Sequence, residues 1–310
     1  MKSPVVDIGI ATFNHEKYIE RCVDSVFEQV LDIPYRVLII DDCSQDKTVE
    51  ILKELQDKYN FELILNKTNR GIIQTAKDLF SQIRSKYFCW LDGDDYWKYP
   101  YKLKKQIEFL ENDPEFAGCF HDAEILQENN KDNVNIHRTE IEYKFYSQFN
   151  HYRAIIKPED IIMRLIIPTA SLVLRKDALK INLEGMNNPY SLAWKIQLES
   201  IKNSRFYYFN EIWSVYRDHP AGFSKQESMS HFKKSHIETL KSLLKDSYYR
   251  SFKKHIYESI IQEYIYFLNA DESKHELNKK QKLAIINEIK KFRKLILKQE
   301  WNYFKSIIKQ

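Results

Sequence analysis

The chain has 310 residues, 43% of them hydrophobic and 30% charged, with a net charge of +4. That length holds one large or two modest domains with an ample core, and the composition is that of a soluble globular protein. It argues against a membrane-spanning protein, because no apolar run approaches the roughly 18 residues that a bilayer crossing needs.

Cys22, Cys43, Cys89 and Cys119 are scattered and form no metal-like C-x-x-C pair, so they read as reduced, mostly buried thiols of a cytoplasmic protein. The opening MKSPVVDIGI runs straight into a strand-like segment, and no signal peptide is expected. Charge is uneven. From Ser230 onward there are 18 Lys and Arg against 9 Asp and Glu, leaving 30 against 35 upstream. A mildly acidic body followed by a basic tail suggests two regions with different partners.

The first 120 residues alternate between two hydrophobic periods. Val5–Ala11, Arg36–Ile40, Phe61–Leu65 and Lys86–Asp92 are short aliphatic and aromatic runs, as buried strands are. Between them, three- and four-residue spacing predicts helices over Ile19–Val30, with Asn14 as cap, over Thr48–Tyr59 and over Ile72–Ile83. Such strand–helix repetition builds a mostly parallel sheet covered on both faces. Ligands bind such sheets beyond the strands' carboxyl ends. The polar strand ends TFN, DDCS, NKTNRG and DGDD should therefore gather at one rim.

From about Gly118 to Tyr216 the pattern is mixed. CFHDAEIL, TASLVLR and RFYYFNEIWSVYR read as strands, with a polar insert around Gln127–Asn150. Beyond Ser230 the chain reads as helix, with Ile256, Ile260 and Tyr264 on one face and Ile285, Ile289, Phe292 and Ile296 on another. The segment NADESKHELNKKQ separates the two helical blocks.

Asp92, Asp94 and Asp95 crowd one strand end in FCWLDGDDYW. Asp92 and Asp94, two apart, can point to one side, and paired carboxylates in a cleft suit Mg²⁺ or Mn²⁺ shared with a phosphate. A polar turn with Asp95 capping the next helix is the alternative. In DDCSQDKT a carboxylate could accept the N–H of a pyrimidine base, or Asp46 could serve the helix start. No G-x-G-x-x-G follows the first strand, which argues against a dinucleotide oxidoreductase.

Taken together, IATFNHEKYIERCVDSVFEQ, VLIIDDCSQDKTVEIL, NRGI, YFCWLDGDDYWKYPYKLKKQIEFLE and IWSVYRDHPAGFS resemble glycosyltransferase family 2 over Val5–Ser224, in the family's motif order. The resemblance implies a Rossmann-like GT-A fold of the α/β class with a helical C-terminal appendage. The implied division is a catalytic domain over 1–225, with a nucleotide-sugar half to about 120 and an acceptor half after it, then a basic helical region over 226–310. It also implies inverting transfer of a sugar from a nucleotide-sugar, a UDP-sugar, to a glycan hydroxyl.

Residue by residue, Thr12 and Phe13 match nucleotide-contacting positions, Asp42 and less closely Asp41 the aspartate that reads uracil, and Asn69 and Gly71 the loop near base and ribose. Asp92 and Asp94 match the metal-binding D-x-D, with Asp94 the direct ligand and Asp92 near ribose or metal. His219 matches a histidine that completes the metal site or contacts the diphosphate, and Arg217 a phosphate contact. The implied setting is bacterial surface polysaccharide assembly, with a lipid-linked acceptor at the inner face of the cytoplasmic membrane.

One family feature is missing. The resemblance places the general base in an acidic-Asp-aromatic step; here Trp194 aligns with the aromatic, Ala193 with the base and Leu192 with its acidic neighbour. Alanine accepts no proton. Three explanations compete: a base from elsewhere, with Asp122 or Glu199 nearest by pattern; a non-catalytic nucleotide-sugar binder; or a deliberate Asp-to-Ala change that traps substrate. The third is preferred, since every other motif is intact. For the basic tail, helices packed on the catalytic domain, an oligomer interface and an anionic membrane surface are the readings. Nucleic acid is not expected, because no reading motif is present.

Overall fold

A computed structural model describes residues 4–128, 144–148, 150–163, 166–225, 228–269 and 277–308. Most of the expected polar insert and part of the segment between the C-terminal helical blocks lie outside the described residues.

The alternation read from the sequence appears as β1 (Val6–Thr12), α1 (Ile19–Phe27), β2 (Tyr35–Asp41), α2 (Thr48–Lys58), β3 (Glu62–Leu65), α3 (Ile72–Ser81) and β4 (Tyr87–Asp92). Then follow β5 (Tyr96–Trp97), α4 (Lys102–Asn112), β6 (Phe116–Gln127), β7 (Ile155–Ile156), α5 (Pro158–Ile162), β8 (Val173–Arg175), α6 (Leu192–Ser200) and β9 (Arg205–Asp218). Three helices close the described chain: α7 (Met229–Leu243), α8 (Lys253–Asn269) and α9 (Lys279–Ile308).

The strands form one sheet in the order β3-β2-β1-β4-β8-β6-β9-β5, with β7 also on β9. β1 pairs parallel with β2 and β4, β2 with β3, and β6 with β9. The short β8 runs antiparallel to both β4 and β6. It therefore restores the common direction, so the carboxyl ends of β4 and β9 face the same rim.

Side-chain alternation along each strand divides the core in two. Val6, Ile8, Ile10, Tyr87, Cys89 and Leu91 pack under α1, α2 and α4. Phe88 and Trp90 point to the other face, toward α3 and α6. That second cluster continues without a break into Ile256, Ile260 and Tyr264 of α8 and Ile289 and Phe292 of α9. The C-terminal helices are thus packed on the body of the protein.

Two local expectations are corrected. Asn14 does not cap α1: it takes a left-handed φ of 55°, and the helix begins only after a turn, at Ile19. FELIL is not a buried strand but the sheet edge, with Ile64 37% and Leu65 42% exposed, because among the described residues no strand pairs beyond β3. Apolar composition does not distinguish a central strand from an edge.

Lys102, at the start of α4, is fully buried, with Nζ 4.1 Å from the centre of the Trp97 ring and no hydrogen-bond partner. Burial pushes its ammonium down to about 8. The folded value lies below the unfolded one, so the charging cost is full below pH 8, fades as pH rises and vanishes above the unfolded pKa. Lys102→Met keeps the stem and removes the charge. It should stabilise the protein by about 1–3 kcal/mol at neutral pH, and denaturant titrations should show that gain shrinking toward pH 10.

Candidate active site

Because β1 to β4 run parallel in register, their ends converge. Asp42 N donates to Thr12 O, Asn66 N to Asp41 O and Gly93 N to Ala11 O, carrying the ladder one step into each loop. The loops after β1 and β2 are then bolted together. Asn14 N donates to Ser44 Oγ, His15 N to Thr48 Oγ1 and Glu16 N to Asp46 Oδ2, while Gln45 N donates to Asn14 Oδ1 and Lys47 N to Glu16 Oε2. Asp46 also accepts from Thr48 N at the start of α2, as its helix-start reading required. Thr12 is buried in this frame, and Phe13 stands 37% exposed on the rim.

The two aspartates after β2 divide their tasks. Asp41 turns back on its own loop, accepting from Ser44 N (2.9 Å) and Ser44 Oγ (2.5 Å). Asp42 reaches forward: Oδ1 accepts from Asn66 Nδ2 and Arg70 N, and Oδ2 from Gly71 N at 2.7 Å. Gly71 N is shared with Asn69 Oδ1. Asp42, Asn69 and Gly71 therefore form one unit. Oδ2, holding a single bond, keeps a lone pair for a further N–H.

At the end of β4, Gly93 is required by space. A Cβ there would lie 2.8 Å from His15 Nδ1 and from Thr12 Cβ and Oγ1. The missing side chain lets the acidic turn press against the β1 loop. Asp94 Oδ2 then sits 3.1 Å from His219 Nε2 and 3.7 Å from His15 Nε2. His15 is oriented through Nδ1 by Thr12 Oγ1 at 3.2 Å, and the Tyr18 ring lies 4.6 Å from that of His219. Burial works to raise the Asp94 carboxyl, but the His219 hydrogen bond and the charges of His15 and His219 outweigh it and hold it below the usual range.

The other two acids are held apart from that contact. Asp92 Oδ1 accepts from Trp90 Nε1 at 2.8 Å, and burial, reinforced by the Asp94 charge, pushes its carboxyl up to about 7. Asp95 does not cap a helix. It is buried, accepts from Arg217 N at 2.9 Å and so ties the acidic turn to the end of β9. Burial, then Asp94 and Asp92, hold its carboxyl well above the normal range. Among the described residues, no three His, Cys, Asp or Glu side chains close on one point as a finished metal cage.

Arg217 is engaged nearby. Its guanidinium donates to Glu128 Oε1 and lies 5.1 and 5.0 Å from the centres of the Tyr18 and Tyr96 rings. Tyr18 Oη donates to the other Glu128 oxygen.

Ala193 lies in the first turn of α6, exposed, and lines a small apolar cavity of about 30 Å³ together with Trp90, the residue that holds Asp92. The expected base position therefore shares a cavity with Trp90. Its two substitutes are engaged elsewhere. Asp122 is buried in β6, where Oδ1 accepts from Ala123 N and Ser147 N and steadies a bulge. Glu199 is buried on the far side of α6, bridging Lys195 and Lys202, and Lys202 continues to Asp246. Both carboxylates serve the fold.

Sequence reasoning missed His15, Tyr18, Gly93 and Glu128. Only Gly93 carried a local signal, as the sole residue between two acids that has no side chain. The others become neighbours through contacts more than 70 residues apart.

A model of glycosyl transferase family 2 matches residues 7–180. Uncharacterised proteins of Mycobacterium tuberculosis and Mycobacterium bovis are 30% identical over 214 residues, 68% of this chain and 58% of theirs. The chain thus spans less than two thirds of their length. The dolichyl N-acetyl-alpha-D-glucosaminyl phosphate 3-beta-D-2,3-diacetamido-2,3-dideoxy-beta-D-glucuronosyltransferase of Methanococcus voltae is 49% identical over 122 residues, 36% of this chain and 37% of that protein. The structure of S. aureus TarS with UDP-GlcNAc superposes with a TM-score of 0.66 at 17% identity, over 93% of this chain and 80% of TarS. At that identity the likeness concerns the fold.

Gly93→Ala should force Thr12 and His15 away from the acidic turn. The expected cost is about 1–3 kcal/mol, read as a lowered unfolding midpoint in thermal or denaturant scans.

Proposed function

The chain belongs to glycosyl transferase family 2, and from that premise we propose that it is an inverting glycosyltransferase. It moves a sugar from a UDP-sugar to a glycan hydroxyl on a lipid-linked acceptor, in surface polysaccharide assembly at the inner face of the cytoplasmic membrane. One observation carries the reading: Asp94, in the D-x-D, meets His219, in YRDH, at 3.1 Å on the rim where the strand ends converge. Ligands of such sheets are found at that rim. The dolichyl phosphate acceptor in the name of the M. voltae relative supports the lipid-linked class, and the UDP-GlcNAc held by TarS supports the donor class.

The residues fit a divalent cation. Asp94 offers an oxygen and His219 a nitrogen, and the other ring nitrogen of His219 is buried without a partner. Two protein donors leave room for the waters and phosphate oxygens that Mn²⁺ or Mg²⁺ keep. When bound, such an ion supplies charge stabilisation to a departing diphosphate.

The chain's own groups do the rest. Asp42 offers its spare lone pair to a base N–H, with Asn69 and Gly71 shaping the base and ribose loop and Thr12 and Phe13 flanking it. Asp92 faces the ribose or the metal. Arg217, released from Glu128, contacts phosphate. Position 193, where the resemblance places the base that takes the acceptor's proton, is alanine here and takes none, so transfer at full rate needs an aspartate there.

Ala193 favours a second reading, a nucleotide-sugar binder without turnover, because Asp122 and Glu199 are both committed elsewhere. Calorimetry separates the possibilities. UDP should bind in a Mn²⁺-dependent manner, and Asp94→Ala should weaken that binding at least about tenfold. Binding indifferent to chelator would overturn the donor site. Ala193→Asp should raise sugar transfer by about two orders of magnitude, the usual worth of a general base. Metal-dependent binding with no gain in transfer would leave the binder.

A further inference from the structure

Helix α9 carries two apolar stripes. Ile285, Ile289, Phe292 and Ile296 pack into the core, with Ile289 and Phe292 under a tenth exposed. Leu283, Ile286, Leu297 and Trp301 instead face solvent, with 57, 38, 65 and 55% of their surface exposed. At about 100° per residue these four fall within roughly 60° of one another, and about 125° round the helix from the core stripe. The helix has 30 residues, so this second seam extends along much of a rod about 45 Å long.

The charges around the seam are one-sided. Across Lys279–Ile308 there are nine Lys and Arg and only two acids. Both acids are turned to other helices: Glu288 pairs with Lys241 of α7, and Glu300 with Lys254 of α8. On the same angular count Lys290 falls within the seam, with Arg293 and Lys294 on its flanks.

We propose that this seam lies flat on an anionic phospholipid surface, holding the protein at a bilayer that no helix of the described residues is long and apolar enough to cross. Apolar side chains bordered by lysines, with a tryptophan near one end, match the chemistry of the headgroup region, where each cation gains from anionic lipid. A second copy of the chain fits less well. It would bring an equally cationic helix against this one, and four side chains bury far less than the roughly 1,200 Å² of a stable dimer.

Flotation of the full chain with vesicles tests this, using phosphatidylcholine alone and phosphatidylcholine with one third phosphatidylglycerol. The protein should float with the anionic vesicles and stay behind with the neutral ones, and added salt should release it. Leu283→Gln with Leu297→Gln, and separately Lys290→Glu with Lys294→Glu, should each lower the bound fraction at least about tenfold. These positions lie away from the rim site, so metal-dependent UDP binding and the unfolding midpoint should not change. No flotation with anionic vesicles, or flotation indifferent to both variants, would overturn the proposal. So would a concentration-dependent dimer that the Leu283→Gln, Leu297→Gln variant abolishes, which would assign the seam to a second copy.

Discussion

The contact between Asp94 and His219 is the constraint on which the rim depends. It joins the end of β4 to the segment that leaves β9, across two intervening strands. Asp95 reinforces it by accepting from Arg217 N. Three carboxylates in four residues would repel one another in a buried turn, and the protein answers each differently. Asp94 is drawn to imidazole, Asp92 to an indole N–H, and Asp95 to a backbone amide while its carboxyl is driven toward the neutral form. The turn tolerates its acids because they face different partners, and the one left facing two imidazoles is the one a cation would draw on.

The same economy of space explains the rim's architecture. β8 is only three residues long, yet its antiparallel insertion keeps β6 and β9 parallel to β4, without which His219 could not meet Asp94. Gly93 then sets the separation between the acidic turn and His15. A site assembled from segments more than 100 residues apart rests on these two small features, one topological and one steric.

What was legible in the sequence follows from what is local. The strand–helix alternation, the shared rim and the Asp92–Asp94 cluster are visible in spacing and in the chemistry of strand ends. The edge position of β3 was not, because Ile64 and Leu65 are as apolar as residues of a central strand and only pairing distinguishes them. Asn14 read as a cap because its residue type suits one; its left-handed backbone and its bond to Gln45 arise from the neighbouring loop. Asp122 and Glu199 failed as substitutes for a similar reason. A carboxylate's availability is decided by its partners, and Lys195, Lys202 and Ser147 take theirs through the fold. Ala193 was located by motif alone, and the structure adds that it lines one cavity with Trp90.

The five bonds from backbone amides to side-chain oxygens that bolt the β1 loop to the β2 loop have a thermodynamic consequence. Loops fixed by their own bonds have little freedom left to lose, so a ligand of this rim would forfeit little association free energy in ordering them. Its encounter rate would then be governed by diffusion and charge, and discrimination among ligands would lie chiefly in how slowly they leave.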